Sequence, residues 1–109
     1  MLPGQNLHGS QPKVDPYLKQ KIMSASPEQL ISYIYDVAIS ACGREDRMKA
    51  TMALQELINS LNFEHKEMAG KFFQLYRYIL DLIVKGKFED AKHLLYELKS
   101  TWVEAMKVV

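Results

Sequence analysis

The sequence predicts an all-α fold: an antiparallel four-helix bundle with a short N-terminal capping segment. Three observations predict it. Apolar residues recur at helical spacing through four long stretches. The connections between those stretches are short, as between antiparallel neighbours. No alternating run bounded by turn signals competes as a strand. The chain has 109 residues, 48% hydrophobic and 25% charged, which suits one small globular domain rather than a disordered chain.

The elements follow in order. Residues 1–16 hold Pro3, Gly4, Gly9, Pro12 and Pro16 among polar side chains and read as a flexible tail. Residues 17–109 are expected to form the bundle domain. The stretch YLKQKIM, residues 17–23, carries Tyr17, Leu18, Ile22 and Met23. It is too short for a stable isolated helix and is expected to pack back on the domain.

The run SASPEQLISYIYD, residues 24–36, opens the first long helix. Ser26 can cap it, and Pro27 falls at the first helical position, where its missing N–H costs nothing. Glu28 suits the positive end of the helix dipole. Gln29, three residues after Ser26, completes a capping box. This helix is expected over 27–42. Leu30, Ile34, Val37, Ala38 and Ala41 form one stripe; Ile31, Tyr35 and Ile39 form a second. Gly43 reads as its C-terminal stop.

The turn GRED leads to a second helix over 45–61. Its stripe is Ala50, Ala53, Leu54, Leu57, Ile58 and Leu61, with Met48 and Met52 beside it. Asn62 and Phe63 break the pattern. A third helix over 64–85 carries Met68, Phe72, Leu75, Ile79 and Leu82 on one stripe. Ala69, Phe73, Tyr76, Leu80 and Ile83 make its other stripe. Lys85-Gly86 stops it with a cation and then a glycine. A fourth helix over 88–107 turns Ala91, Leu94, Leu95, Leu98, Trp102 and Ala105 inward, and Val108 and Val109 are an apolar end.

The first and third helices carry more apolar surface than the roughly 100° face a bundle needs. Their second stripes contain Tyr35, Phe73 and Tyr76. Two readings stand: the helices are well buried, or the surplus lines a groove for an amphipathic or extended peptide. Six methionines and six tyrosines suit the second, since both give large, adaptable contact area.

Other chemistry is sparse. A net charge of +1 favours neither nucleic acid nor an anionic membrane. The single cysteine, Cys42, excludes an internal disulfide framework, fits a reducing cytoplasm and reads as a small helix residue. No apolar run approaches the roughly 20 residues of a membrane span, and no leader pattern opens the chain. His8, His65 and His93 have no His or Cys partner at i+3 or i+4, so no metal site is expected. No phosphate loop or nucleophile elbow occurs, so no cofactor is expected. Arginine appears only as Arg44, Arg47 and Arg77. Arg44 and Arg47 fall at the first turn, the wrong place for the buried anion pocket of a chorismate-mutase-like bundle. The reading is therefore not an enzyme.

Four motifs in order carry a resemblance. Tyr17 and Ile22 precede Ser24-Ala25-Ser26-Pro27-Glu28-Gln29-Leu30, followed by Ile34-Tyr35-Asp36. Lys49-Ala50-Thr51-Met52-Ala53-Leu54-Gln55-Glu56-Leu57 comes next, then Leu75-Tyr76-Arg77-Tyr78-Ile79, then Trp102. Together they resemble the FliS family of flagellar export chaperones, from about residue 15 to 105. The departures are Val37 for a glycine after the Tyr-Asp pair and Thr51 for a glutamine. The span from Tyr35 to Lys49 is also shorter than usual by about four helical turns.

The resemblance implies a cytoplasmic chaperone. It would bind the disordered C-terminal segment of flagellin in hydrophobic grooves, prevent premature polymerisation and keep the subunit ready for export. It leaves the flagellar export apparatus open as a second partner. By the same analogy Tyr17, Leu18, Ile22 and Met23 form a displaceable plug over the groove. The client-binding residues expected are Tyr17, Ile22, Leu30, Ile31, Ile34, Tyr35, Met52, Gln55, Phe73, Tyr76 and Tyr78. For the tyrosines on the helices, a half-buried bundle role stands beside client contact. Trp102 is read as core. The shortened hairpin keeps a second reading open, a FliS-like helical adaptor with a different protein partner.

Overall fold

The computed structural model of the chain describes residues 16–24, 26–62 and 64–108, and of residues 18, 21, 22 and 105–108 the backbone alone. The expected tail up to residue 15, Ala25, Phe63 and Val109 lie outside the described residues, as do the side chains of Leu18, Ile22, Ala105 and Val108. Five helices follow in order: α1 (Pro16–Met23), α2 (Pro27–Gly43), α3 (Arg47–Asn59), α4 (Lys66–Val84) and α5 (Phe88–Val108). No strand occurs among the described residues. The fold is the all-α four-helix bundle the periodicity predicts.

The four long helices form a closed square. α2 packs on α3 and α5, and α4 packs on the same two. α2 and α5 run antiparallel, as three pairings show. Trp102 Nε1 donates to the Glu28 carbonyl, Lys99 pairs with Asp36, and Lys92 lies beside Gly43. Each successive pairing moves forward on α2 and backward on α5.

Local chemistry sets the helix ends. Ser26 Oγ accepts from the Gln29 N–H at 3.2 Å, and Gln29 Oε1 accepts from the Ser26 N–H at 3.0 Å. This is the reciprocal box read from the sequence. α3 is capped by Asp46, whose carboxylate accepts from the Lys49 N–H. α2 and α4 end in the same way. In each, the two residues beyond the C-cap donate back to carbonyls of the last turn: Glu45 to Cys42 and Asp46 to Ala41, Gly86 to Ile83 and Lys87 to Leu82. This Schellman arrangement needs one residue in the left-handed region.

In α4 that residue is Gly86 (φ 79), as expected, but in α2 it is Glu45 (φ 56), so Gly43 is not the stop. Gly43 stays helical because Asp46 serves two elements at once, donating to Ala41 and capping α3. That double role places the left-handed residue directly before Asp46.

The core line differs from the predicted stripes in a regular way. On α4 the centre of the buried face runs through Ala69, Phe72, Tyr76, Ile79 and Ile83, spaced 3-4-3-4, with Leu82 buried and Leu80 half-buried beside it. That is the seam where the two predicted stripes meet. The outer flanks are left exposed: Met68, Leu75 and Phe73. α2 follows Ile31, Tyr35, Ala38 and Cys42; α3 follows Ala50, Leu54, Leu57 and then Leu61; α5 follows Ala91, Leu95, Leu98 and Trp102. Val37, expected inside, is exposed because it lies off this line. Trp102 packs against the core, as expected.

Of the four residues expected to plug the groove, Leu18 and Ile22 lie outside the described side chains. Tyr17 is 74% exposed and Met23 76% exposed, so these two do not plug the bundle. At eight residues the helix is too short to be stable on its own.

Candidate functional site

The helix repeat has an end, and the site is there. At the end of the bundle away from the α2–α3 and α4–α5 turns, an open groove of about 1380 Å³ lies between the first turns of α2, the α3–α4 loop and the start of α4. Each long helix contributes apolar residues from the end of its core line: Ile31 from α2, Leu61 after α3, Ala69 and Phe72 from α4, and Trp102 from α5. Elsewhere such residues meet one another and close a layer. Here, among the described residues, the layer stays open. Met68 stands on the rim, and Tyr76 lines the groove below.

The walls are held by identifiable contacts. The Trp102 indole is fixed by its 3.2 Å bond to the Glu28 carbonyl. The Phe72 and Tyr76 rings pack with centroids 5.8 Å apart. In the loop, the Asn62 carboxamide oxygen accepts from the Glu64 N–H at 2.9 Å, and Ser60 Oγ donates to the Leu57 carbonyl at 2.7 Å. The rim carries Glu28, His65, Lys66 and Glu67. It is of mixed sign, so it imposes no strong charge selection.

Beneath the groove, Tyr35 and Tyr76 reach from opposite corners of the square and join hydroxyl to hydroxyl at 2.7 Å. Tyr35 has 0% and Tyr76 3% of its surface exposed. Burial, and for Tyr35 also the neighbouring Tyr76, pushes both phenols above the ordinary tyrosine value. For Tyr76, the hydrogen bond from its partner opposes part of that shift. Burial likewise pushes the Cys42 thiol up, partly offset by Lys92.

The expected client residues divide among four places. Ile31 and Tyr76 line the groove. Leu30 and Ile34 are half-buried beside Ile31 on α2. Tyr35 is core: it is sealed beneath Tyr76 and offers no surface for a client to touch, because the α2 seam runs through it. Met52, Gln55, Phe73, Tyr78 and Tyr17 are exposed away from the groove. Met48, Met52 and Gln55 form a strip on the far side of α3 from its core line. Ile22 lies outside the described side chains.

Leu61, Met68, Phe72 and Trp102 were missed. A signal for three of them was present. The 3-4 spacing of α3, α4 and α5 continues to Leu61, Phe72 and Trp102, level with the first turn of α2, so the last layer lacks a closing helix turn. Met68 has no such signal, since only the position of the rim reveals it.

Among the described residues no group of three metal-ligating side chains converges, and no helix is long and apolar enough to cross a membrane. A four-helix bundle whose end layer opens into an apolar, aromatic groove belongs to the class of helical bundles built to present such a surface. The family model described as Flagellar protein FliS matches residues 43–109, more than half of the chain. The chain belongs to the FliS family, a family of flagellar export chaperones rather than enzymes. No curated protein and no solved structure matches it. The match includes the Lys49–Leu57, Leu75–Ile79 and Trp102 motifs. The capping-box motif of α2 lies outside it.

Proposed function

We propose that the protein is a cytoplasmic chaperone that holds the disordered C-terminal segment of flagellin in the groove framed by Ile31, Leu61, Met68, Phe72, Tyr76 and Trp102. The observation that carries this reading is the open terminal layer of the core. Its residues have the apolar and aromatic chemistry of the bundle interior and, among the described residues, nothing covering them; an amphipathic helix from a client supplies that cover. Covering that surface hides the client's own apolar face. The client is thereby kept from premature polymerisation and ready for export. Tyr17, Met52, Gln55, Phe73 and Tyr78 lie off the groove and are reached only by a client that continues beyond it.

Titration calorimetry with the flagellin C-terminal segment tests the reading. The expected result is a one-to-one complex with a negative heat-capacity change, the mark of apolar burial. Met68→Glu changes an exposed rim residue, so the protein should stay folded while affinity falls at least about tenfold, since a charge would be buried against the client. A folded protein that does not bind the segment contradicts the proposal and turns the search to other protein partners.

A further inference from the structure

We infer that Tyr76 sets the polar specificity of the groove: its hydroxyl donates a hydrogen bond to a carbonyl oxygen of the bound segment, and Tyr35 holds it in place to do so. The inference rests on the groove being the client site. It follows from a count of hydrogens. Each phenol has one to donate, and the 2.7 Å contact between the two hydroxyls uses one of the two. Among the described residues neither hydroxyl has another polar partner. Tyr35 has no exposed surface and does not line the groove, so the Tyr76 oxygen is the acceptor within its reach. Either hydroxyl can donate in this contact; the arrangement that leaves no hydrogen sealed inside the core has Tyr35 donating and Tyr76 accepting. The Tyr76 hydrogen is left over, on the one member of the pair that lines the groove.

An occupant that is apolar throughout would seal that hydrogen without a partner, and a buried unpaired donor is costly. An occupant with a carbonyl at this depth satisfies it. Donation from Tyr35 also polarises the Tyr76 hydroxyl and strengthens its bond to the client. The pair thus selects a segment with one acceptor among its apolar anchors.

The test uses the full chain and the flagellin C-terminal segment, with the fluorescence of Trp102, the one tryptophan, reporting groove occupancy. The double variant Tyr35→Phe/Tyr76→Phe removes both hydroxyls and keeps the packing shape. Its Tm should stay close to the wild type, while its affinity falls about tenfold. Tyr76→Phe alone should lose as much, whereas Tyr35→Phe keeps the donor but releases its hold and should lose a smaller, measurable part of the affinity. Replacing the segment's Asn and Gln residues by Leu, one at a time, separates the sources of the acceptor. If one replacement weakens binding to the wild type but not to the double variant, a side-chain carbonyl is the acceptor; if none does, it is a main-chain carbonyl. Wild-type affinity in the double variant overturns the inference and leaves the groove intact. Failure of the wild type to bind the segment overturns the underlying reading and this inference with it.

Discussion

Glu45 and Gly86 do the same backbone work with different side chains. Both take the left-handed conformation that closes a helix end, and only glycine does so without a steric penalty. Glu45→Gly should therefore stabilise the protein by about 1 kcal/mol, and Gly86→Ala should destabilise it by about the same. Denaturant unfolding of the two variants measures both. The tyrosine pair makes a pH prediction. Both phenols titrate above the ordinary value of 10.0 when folded. The folded state thus favours the neutral form, and the stability this contributes is complete below about pH 10 and lost as pH rises beyond it. Alkaline titration followed by phenolate absorbance should show two tyrosines ionising only as the helical signal collapses. Ionisation of all six in the folded protein would contradict the burial. At this scale Ser26, Gln29 and Gly86 were legible in the sequence because capping chemistry is local. Gly43 misled because the end of α2 is set by Asp46, which must also cap α3.

Each long helix buries a narrower line than its apolar content suggests. Sequence periodicity identified four helices and their order, since a 3.6-residue repeat is visible in one dimension. It did not show which of two adjacent stripes faces the core. That depends on the direction of the neighbours, and α4 resolved it by burying the seam between them. The two turns at the closed end illustrate a contact between elements that no local pattern carries. Arg47, at the start of α3, donates to the Ile83 carbonyl at 3.3 Å in the last turn of α4 and lays its guanidinium 5.7 Å from the centre of the Phe88 ring on α5. It joins the two hairpins where both end. Arg47→Ala should cost about 1 kcal/mol through the lost charge-assisted bond and ring contact, with Arg47→Lys restoring only part of it, since lysine lacks the flat, forked donor. Chemical denaturation of the pair checks this; equal stability of all three proteins would show that the clasp contributes nothing.

Across the whole molecule, the described residues close the bundle at one end and leave it open at the other. The closed end has two Schellman turns and Arg47 between them. The open end has the unfinished layer of Ile31, Leu61, Phe72 and Trp102. The resemblance to flagellar chaperones was legible from motifs scattered over the chain, and the family match covers the half that holds α3, α4 and α5. The groove was only partly legible. Ile31 and Tyr76 were singled out, but the site joins residues 31, 61, 72 and 102, whose meeting depends on how far each helix extends past its neighbours. The central claim is that this open layer is where the client sits. Methyl NMR of the protein with increasing flagellin C-terminal segment tests it most directly. The account predicts that the methyl signals of Ile31, Leu61 and Met68 shift together and saturate at one equivalent, while those of Met48 stay in place. Shifts at Met48 and Met52 with the groove methyls unmoved would contradict it and place the client on the outer face of α3.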